Sequence, residues 1–253
     1  SAHLIKTVVG RRSRRYPLIL LYEEDGAIQS ALLQTGSGFF VPSARGAELP
    51  KGVELRSLVA PEENRMHSIM GELQLVGSLS RVIALPTTHS VDYHLMYRIA
   101  RMPLPVVEQP LPNMSYRWAT VRDAKLLGDI QEAYEREEVL LPGHSFDRRV
   151  SMENLRYHLK HQLVIYATHR GEVIAKAATN ARGFGCDQLG GVFTHPSYRR
   201  KGVARWLVAL LLRQLKRERK GASLFVKPHN VAAVELYRTL GFSIVGPFRI
   251  SYY

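Results

Sequence analysis

The feature that most constrains this sequence is a strand that ends at a proline and is followed at once by a basic turn and a long helix. Residues 191–205 read GVFTHPSYRRKGVAR. Pro196 ends the strand, and Gly202 stands directly before an apolar periodicity that predicts a helix over 203–219. This order aims several unpaired backbone N–H groups, and the positive end of a helix dipole, at one point. Such a point binds phosphate oxygens.

Length and composition exclude several classes of protein. The 253 residues, with 45% hydrophobic and 23% charged side chains, suffice for one large or two small globular domains and exclude wholesale disorder. A single cysteine, Cys186, excludes an internal disulfide and a Cys-rich zinc site, and fits a reducing compartment. The longest apolar run, Trp206–Leu212, is far shorter than the about 20 residues of a membrane helix.

The beginning of the sequence does not have the pattern of a secretory signal. Its few apolar residues precede Arg11, Arg12, Arg14 and Arg15, which is the reverse of the order in a signal peptide. We therefore expect a soluble, cytoplasmic protein without a membrane partner.

The net charge of +13 is concentrated in the second half of the chain. Residues 113–253 carry 23 basic and 12 acidic side chains, whereas residues 1–112 carry 12 and 10. Within the second half, residues 199–220 hold nine basic residues and a single acid. Such a surplus attracts polyanions such as nucleic acid, an anionic membrane or a phosphate-rich small molecule. A solvated helix face is the alternative explanation.

A proline-rich segment divides the sequence near residue 110. Residues 101–112 read RMPLPVVEQPLP and contain four prolines, which remove backbone donors and favour extended geometry. The sequence therefore predicts an N-terminal α+β domain over 1–110 and a second domain over 113–253.

The N-terminal part shows mixed elements and no motif that carries chemistry. Apolar stretches at 17–22 and 27–35 flank an Asp25-Gly26 turn and predict a hairpin. Apolar spacing predicts a helix over 62–75, and short strands are predicted over 82–85 and 93–99. Because no phosphate-binding turn is present, we expect this part to have no cofactor site of its own.

The second part alternates strands and helices. The helix at 231–240 has signals at both ends, Asn230 before it and Gly241 after it. The predicted strands cover 116–121, 163–169, 172–180, 188–194, 223–226, 242–245 and 249–252. The predicted helices cover 123–138, 151–161, 203–219 and 231–240. No metal site is predicted, since His158 and His161 have no acid or cysteine to complete a ligand set.

Two motifs in this part resemble those of the GNAT superfamily of N-acetyltransferases. Arg199-x-x-Gly202-x-Ala204 is similar to the family's acetyl-CoA signature, Gln/Arg-x-x-Gly-x-Gly/Ala. Asn230-x-x-Ala233-x-x-Leu236-Tyr237-x-x-x-Gly241-Phe242 resembles the family's last helix and the strand after it. The resemblance covers 113–253 and is weak over 1–112.

The resemblance implies a fold class and an activity. The expected fold is α+β, with a mixed, mostly antiparallel sheet and flanking helices. Some family members carry a degenerate first acetyltransferase-like domain, and the hairpin, helix and strand before residue 110 are compatible with one. The expected activity is transfer of an acetyl group from acetyl-CoA to a primary amine, by direct attack of the amine on the thioester.

The resemblance also assigns residues to the cofactor. In the family, two parallel strands splay apart and the pantetheine arm lies in the gap, where the backbone of the strand would pair with it. The turn would hold the pyrophosphate through its backbone N–H groups, with three basic side chains adding charge, and Asn230 would hydrogen-bond the arm. The strand residues are Val192, Phe193 and Thr194. The turn residues are Arg199, Arg200, Lys201, Gly202, Val203 and Ala204.

An acid and a base complete the expected chemistry. Tyr237 would protonate the departing thiolate. Gln188 stands where several family members have a glutamate base, and it cannot take a proton. Asp187, next to it, should point to the other face of the strand. The remaining candidates are His195, Glu137, Glu138, Asp147 and a water chain, and the sequence does not choose among them.

Two other functions remain open from the sequence. A nucleic-acid-binding protein could use the basic residues of the 199–220 segment, although that segment has no aromatic residues interleaved with its second basic run. Those basic residues are Arg213, Lys216, Arg217, Arg219 and Lys220. A CoA-binding regulatory domain without turnover would explain the missing glutamate. The acceptor is open among polyamine, amino acid, antibiotic, peptide N-terminus and protein lysine, and the oligomeric state is not predicted.

Overall fold

The computed structural model describes residues 2–8, 18–35, 38–45 and 66–253. The chain forms two compact units. The first unit comprises Ser1–Leu95, Lys227–His229 and Gly246–Tyr253, and the second comprises Met96–Val226 and Asn230–Val245. In the described part of the chain, no helix combines the length and the apolar character needed to cross a lipid bilayer.

The first unit is built on a sheet with one helix in its described part. Its strands follow the order β1-β2-β3-β4-β5-β12-β6. The elements are β1 (Ala2–Val8), β2 (Leu18–Glu24), β3 (Ala27–Gln34), β4 (Phe39–Ala44), β5 (Ser68–Glu72), α1 (Leu73–Ile83), β6 (His89–Arg98) and β12 (Ser243–Tyr252). The predicted hairpin is confirmed, because β2 and β3 pair across a turn in which Asp25 and Gly26 both have positive φ.

The pairing pattern of the first unit ends in a parallel step. β1 to β4 pair antiparallel in succession, and β4 then pairs parallel with β5 at Phe39–Ser68 and Phe40–Ile69. The last strand, β12, lies antiparallel to β5, from Phe248 opposite Glu72 to Tyr252 opposite Ser68. The buried core consists of Leu32, Phe40, Ile69, Val76, Leu79 and Ile83.

Two sequence predictions in this unit are wrong. Where a helix was expected over 62–75, residues 68–72 form β5 and the helix begins only at Leu73; residues 62–65 lie outside the described residues. Pairing with a strand on each side overrides the helical spacing. The strand expected over 82–85 is absent, because α1 continues to Ile83 and ends at Ala84, whose φ is positive.

The second unit alternates helices with a sheet of order β7-β8-β9-β10-β11. Its strands are β7 (Met114–Trp118), β8 (Val164–His169), β9 (Glu172–Arg182), β10 (Cys186–Thr194) and β11 (Gly221–Val226). Its helices are α2 (Ala124–Tyr134), α3 (Arg148–His161), α4 (Val203–Arg217) and α5 (Val231–Thr239). Short 3-10 turns cover Val121–Asp123 and Pro196–Tyr198, and a π-helical turn covers Glu135–Val139.

The order of these elements confirms the expected α+β class. β7 to β10 pair antiparallel in succession, and β10 pairs parallel with β11, so the sheet is mixed and mostly antiparallel. Asn230 caps α5 by accepting the N–H of Ala233, and Gly241 follows the helix with φ +86°. The strands expected over 242–245 and 249–252 are one continuous strand, β12, which runs through Gly246 and Pro247 without a break.

Helices cover both faces of the second unit's sheet. Alternate residues of β8 belong to different apolar clusters: Ile165 lies in the cluster with α4 and α5, and Tyr166 in the cluster with α2 and α3. β9 is buried along both faces, from Ile174 to Thr179. A side chain on residues 174–179 therefore has no route to bulk water except through a gap in the packing.

Arg98 forms hydrogen bonds that join the start of the second unit to residues near its end. Its buried guanidinium donates hydrogen bonds to the carbonyl oxygens of Leu240 (2.8 Å), Met102 (2.7 Å) and Pro103 (2.9 Å). Residues 96–112 accordingly belong to this unit, whereas Gly246–Tyr253 belong to the first. The division into domains over 1–110 and 113–253 stays a prediction.

Candidate active site

A gap opens between two parallel strands of the second unit. β10 and β11 pair only from Cys186–Gly221 to Leu189–Leu224. Within residues 66–253, no register pair continues beyond that point, although β10 runs on to Thr194. Val192, Phe193 and Thr194, the strand residues predicted from the sequence, lie on this extended part of β10. The structure thus places them along the opening.

A β-bulge reshapes β10 where the gap begins. Gly190 lies opposite Ala178 and Phe193 lies opposite Lys176, so β10 contributes one residue more than β9 over this interval. Gly191 has φ +58°, a conformation that favours glycine. Its backbone N–H lies near Tyr134 at the end of α2, where burial raises the pKa of the phenol and this N–H partly offsets the rise. A bulge bends its strand and re-aims the local backbone, so the sheet is irregular at this point.

The predicted turn leads from β10 into the N-terminus of α4. Gly202, with φ +80°, is the residue before the helix, and the N–H of Trp206 makes the first helical bond to its carbonyl oxygen. The N–H groups of Val203, Ala204 and Arg205 precede that bond and have no acceptor within the helix. Together with the helix dipole, these donors favour an anion at the turn.

Protein groups already hold two of the three basic side chains in the turn. Arg199 donates to the carbonyl oxygen of Thr194 (3.1 Å) and to Glu137 (2.7 Å). Lys201 donates to the carbonyl oxygen of Ser197 (3.0 Å). Arg200 is exposed and has φ +62°. The backbone donors are therefore better placed than the side chains of Arg199 and Lys201 to hold phosphate.

Two buried polar atoms flank the turn without a partner. Among the described residues, the hydroxyl of Thr194 and the Nε of Arg205 are buried and form no hydrogen bond. A buried polar group without a partner costs free energy, and each of these atoms can donate a hydrogen bond. The end of β10 and the start of α4 therefore fit a ligand that carries acceptor oxygens, as CoA does.

The side-chain amide of Asn230 caps its helix through its oxygen atom. Its Oδ1 accepts the N–H of Ala233 at 3.1 Å, which caps α5. The amide Nδ2 can still donate to a carbonyl oxygen of a ligand. The hydrogen bond to the pantetheine arm stays a prediction.

Tyr237 is buried on α5, with the edge of its ring against Phe242 at 5.7 Å between centroids. Burial raises the pKa of its phenol, and nearby Tyr134 and Glu138 raise it further. The hydroxyl therefore keeps its proton throughout the neutral pH range. That protonation state is the one an acid needs.

Most of the side chains considered as the general base already form hydrogen bonds or ion pairs with other protein groups. The fully buried Asp187 accepts from Arg182 Nε (2.9 Å), the N–H of Gly183 (3.1 Å) and Lys220 Nζ (3.0 Å). Glu137 pairs with Arg199, and Asp147 caps α3. His195 Nδ1 accepts weakly from the N–H of Ser197 (3.4 Å). The network around Asp187 also pairs Arg182 with Glu218, so part of the 199–220 charge is neutralised inside the unit.

Asp187→Ala is expected to lower the free energy of unfolding by about 2–3 kcal/mol. Removing one partner of a buried ion pair typically costs about 3–5 kcal/mol, and the cost is reduced here because Arg182 is 31% exposed. Urea unfolding measures it. The control is Asp129→Ala, which removes a carboxylate that is 91% exposed and should change stability by less than about 0.5 kcal/mol. Equal effects of the two substitutions would refute a structural role for Asp187.

Sequence reasoning missed one residue at the bulge, Lys176. Its side chain is 4% exposed, and its Nζ lies 4.2 Å from the centroid of the Tyr134 ring. Within the described part of the chain, no carboxylate forms an ion pair with it. Burial lowers the pKa of the amine to about 7, against the opposing charge of Glu135. The signal in the sequence is the run of small and apolar residues around it, IAKAA, which indicates a strand buried on both faces.

The comparison with known families agrees with the site. Residues 127–242 match the model of the acetyltransferase (GNAT) family. The gap between β10 and β11 and the N-terminus of α4 both lie within this matched stretch. Residues 127–242 are therefore a domain of the GNAT type.

Solved structures share the fold over most of the chain. The N-acetyltransferase of Sphaerobacter thermophilus is 16% identical, with a TM-score of 0.57, and the match covers 92% of this chain and 79% of that one. That of Kribbella flavida is 17% identical, with a TM-score of 0.56, over 88% and 86%. A tandem GNAT protein from the clavulanic acid biosynthesis pathway is 11% identical, with a TM-score of 0.54, over 94% and 83%. No curated protein sequence matches.

Proposed function

We propose that the protein is an acetyl-CoA-dependent N-acetyltransferase that transfers an acetyl group to a primary amine. The observation that carries the proposal is the gap after Leu189, which opens beside the uncapped N-terminus of α4. A strand edge and a cluster of helix N–H donors in one place suit an acyl donor made of an amide-containing arm and a pyrophosphate.

Different residues would bind different parts of acetyl-CoA. The backbone of Val192 to Thr194 would pair with the pantetheine arm, as a neighbouring strand would. The N–H groups of Val203 and Ala204 would hold phosphate oxygens, while the Nδ2 of Asn230 donates to the arm. Arg199 braces the turn against Glu137. Acetyl-CoA supplies the activated acyl group.

The chemistry is direct attack of a neutral amine on the thioester carbonyl. The carbon–nitrogen bond forms as the carbon–sulfur bond breaks, and the leaving sulfur needs a proton. Tyr237 would supply that proton, because its phenol stays protonated in its buried site.

Release of CoA thiol in the presence of amines tests the function. The purified chain is mixed with acetyl-CoA and a panel comprising a polyamine, amino acids, an aminoglycoside and lysine peptides. We expect amine-dependent thiol release and an acetylated amine detected by mass spectrometry. Acetyl-CoA binding without amine-dependent release would contradict the enzyme and favour a CoA-binding regulatory domain.

One CoA is expected to bind per chain, although both units contain a parallel strand pair. In the first unit, a Cβ on Gly71 of β5 would lie 3.3 Å from the carbonyl oxygen of Pro42 on β4, so these strands stay close beyond Phe40–Ile69. Pro42 also lacks an N–H to offer a ligand. Calorimetric titration measures the stoichiometry, and a value of two would disprove the prediction.

A further inference from the structure

Lys176 lies on a face of the sheet that is rich in aromatic side chains. In the sheet register, Tyr166 of β8 is its direct neighbour on one side and Phe193 of β10 on the other. Directly opposite residues in antiparallel strands point to the same face. The ring of Tyr134 covers the amine at 4.2 Å. One aromatic ring therefore covers the amine, and two further aromatic residues flank Lys176 in the sheet register.

The amine sits at the bulge where the gap opens. A Cβ on Gly191 would lie 3.1 Å from Lys176 Nζ, so a side chain at position 191 would crowd the amine. The next residue, Val192, begins the stretch of backbone expected to carry the pantetheine arm. Lys176 thus reaches the same short segment of β10 that the acyl donor would use.

Burial favours the neutral form of Lys176. Burial is the largest cause of its lowered pKa, and Glu135, at the end of α2, only partly offsets it. Burial lowers the pKa of His158 on α3, and Lys176 lowers it further. The other titratable neighbours are Tyr134 and Tyr166, whose pKa values burial raises, so neither supplies a negative charge near neutral pH. β10 contributes Gly191 and Phe193, which do not titrate.

We propose that Lys176 is the general base of the acetyl transfer, a role that rests on the proposed function. The neutral amine of Lys176 accepts the proton of the attacking nitrogen as that nitrogen bonds to the thioester carbon. The carbon–sulfur bond breaks, and the sulfur takes its proton from Tyr237. Lys176 ends protonated and Tyr237 deprotonated, and a proton passed between them through solvent restores both. No oxidant, reductant or metal is needed.

This assignment does not require a carboxylate base at the position where several family members have one. The position that carries glutamate in several family members is Gln188, and Asp187 is saturated by three donors. A buried lysine with its pKa near the working pH does the same task as a glutamate whose pKa is raised by burial.

Kinetics of two Lys176 variants test the proposal in the full chain. Lys176→Met removes the base, and Lys176→Arg keeps a positive charge that cannot be lost. Both are expected to lower kcat by about 10²–10⁴-fold with acetyl-CoA affinity unchanged, since a positioned base contributes about that factor. Lys160→Met, at an exposed position on α3, is the matched control and should retain wild-type activity. Near-wild-type turnover by Lys176→Arg would overturn the proposal, because it would show that only the charge is needed.

The pH profile separates a base from a structural lysine. Wild-type kcat/KM should rise with pH through an apparent pKa near 7, and this limb should be missing in Lys176→Met. If the limb persists in the variant, another group is the base. Hydroxylamine is a weakly basic acceptor that is neutral near pH 7. With hydroxylamine as the acceptor, the fall in kcat caused by Lys176→Met should be smaller. A wild-type chain that releases no thiol with any amine refutes the proposed function, whereas release that both variants retain refutes only the role of Lys176.

Stability provides the control for folding. The unfolded pKa of 10.5 exceeds the folded value of about 7, so between these values the unfolded chain binds one proton more. The free energy of unfolding of the wild type therefore rises with pH across that window. Lys176→Met lacks this dependence, so it should gain most over the wild type below about pH 7 and least above about pH 10. A variant whose stability follows the wild-type pH dependence would show that the amine is not buried as described.

Discussion

Replacing Gly202 by glutamate is expected to reduce acetyl-CoA affinity by about 100-fold or more. Gly202 has φ +80° at the start of α4, and a Cβ there would touch Pro110 at 3.4 Å. The new carboxylate would compete for the helix N–H groups and repel the pyrophosphate. Losing two charge-assisted hydrogen bonds, at about 1.5 kcal/mol each, gives about this factor. Calorimetric titration with acetyl-CoA measures the change.

A second glycine provides the matched control for Gly202→Glu. Gly171, in the hairpin turn between β8 and β9, has φ +85° and open space around its Cβ position. Gly171→Glu therefore introduces the same backbone strain and the same charge away from the turn at α4. It should lower stability but leave affinity within about twofold. Unchanged affinity in a folded Gly202→Glu protein would rule out the turn as the phosphate site.

Tyr237→Phe is expected to lower kcat by about 10²–10⁴-fold, which is the usual contribution of a positioned acid. The ring and its contact with Phe242 are kept, so folding and acetyl-CoA affinity should hardly change. The loss should shrink for acyl donors whose leaving thiol is more acidic, because such thiols need less protonation. Steady-state rates with acetyl-CoA and with an aryl thioester measure both effects.

An exposed tyrosine gives the comparison for Tyr237. Tyr157 on α3 is 63% exposed, and Tyr157→Phe removes a hydroxyl of the same kind away from the gap. It should leave kcat unchanged. If Tyr237→Phe also turns over within about twofold of the wild type, with chemistry rate-limiting, the thiolate leaves unassisted or takes its proton from water.

Local signals in the sequence were sufficient where an element's ends are set by its own residues. α5 was predicted from Asn230 and Gly241, and both act as expected, one as a side-chain cap and the other with a positive φ. The prediction for residues 62–85 was wrong because β5 is held by pairing with β12, which lies far away in the sequence. Apolar spacing cannot reveal a partner that arrives so late in the chain.

The candidate site divides in the same way. The turn around Gly202 has a local pattern of glycine, basic residues and helix periodicity, so it could be predicted. Lys176 could not be assigned a role, because its environment depends on Tyr134, Tyr166 and a bulge in β10. A one-residue excess between paired strands is a property of the pairing and not of either segment alone.

The place of β12 has a consequence for how the chain is made. The residues that pair with β5 lie at 248–252, so they leave the ribosome about 150 residues after β6 is complete. At about 5–20 residues per second, that delay is roughly 8–30 s. During this time the first unit lacks an interior strand, and β5 offers an unpaired edge of the kind that promotes aggregation. Completion of the first unit therefore waits for residues 248–252, and a growing chain is most exposed to chaperones and proteases in the interval before β12 is made.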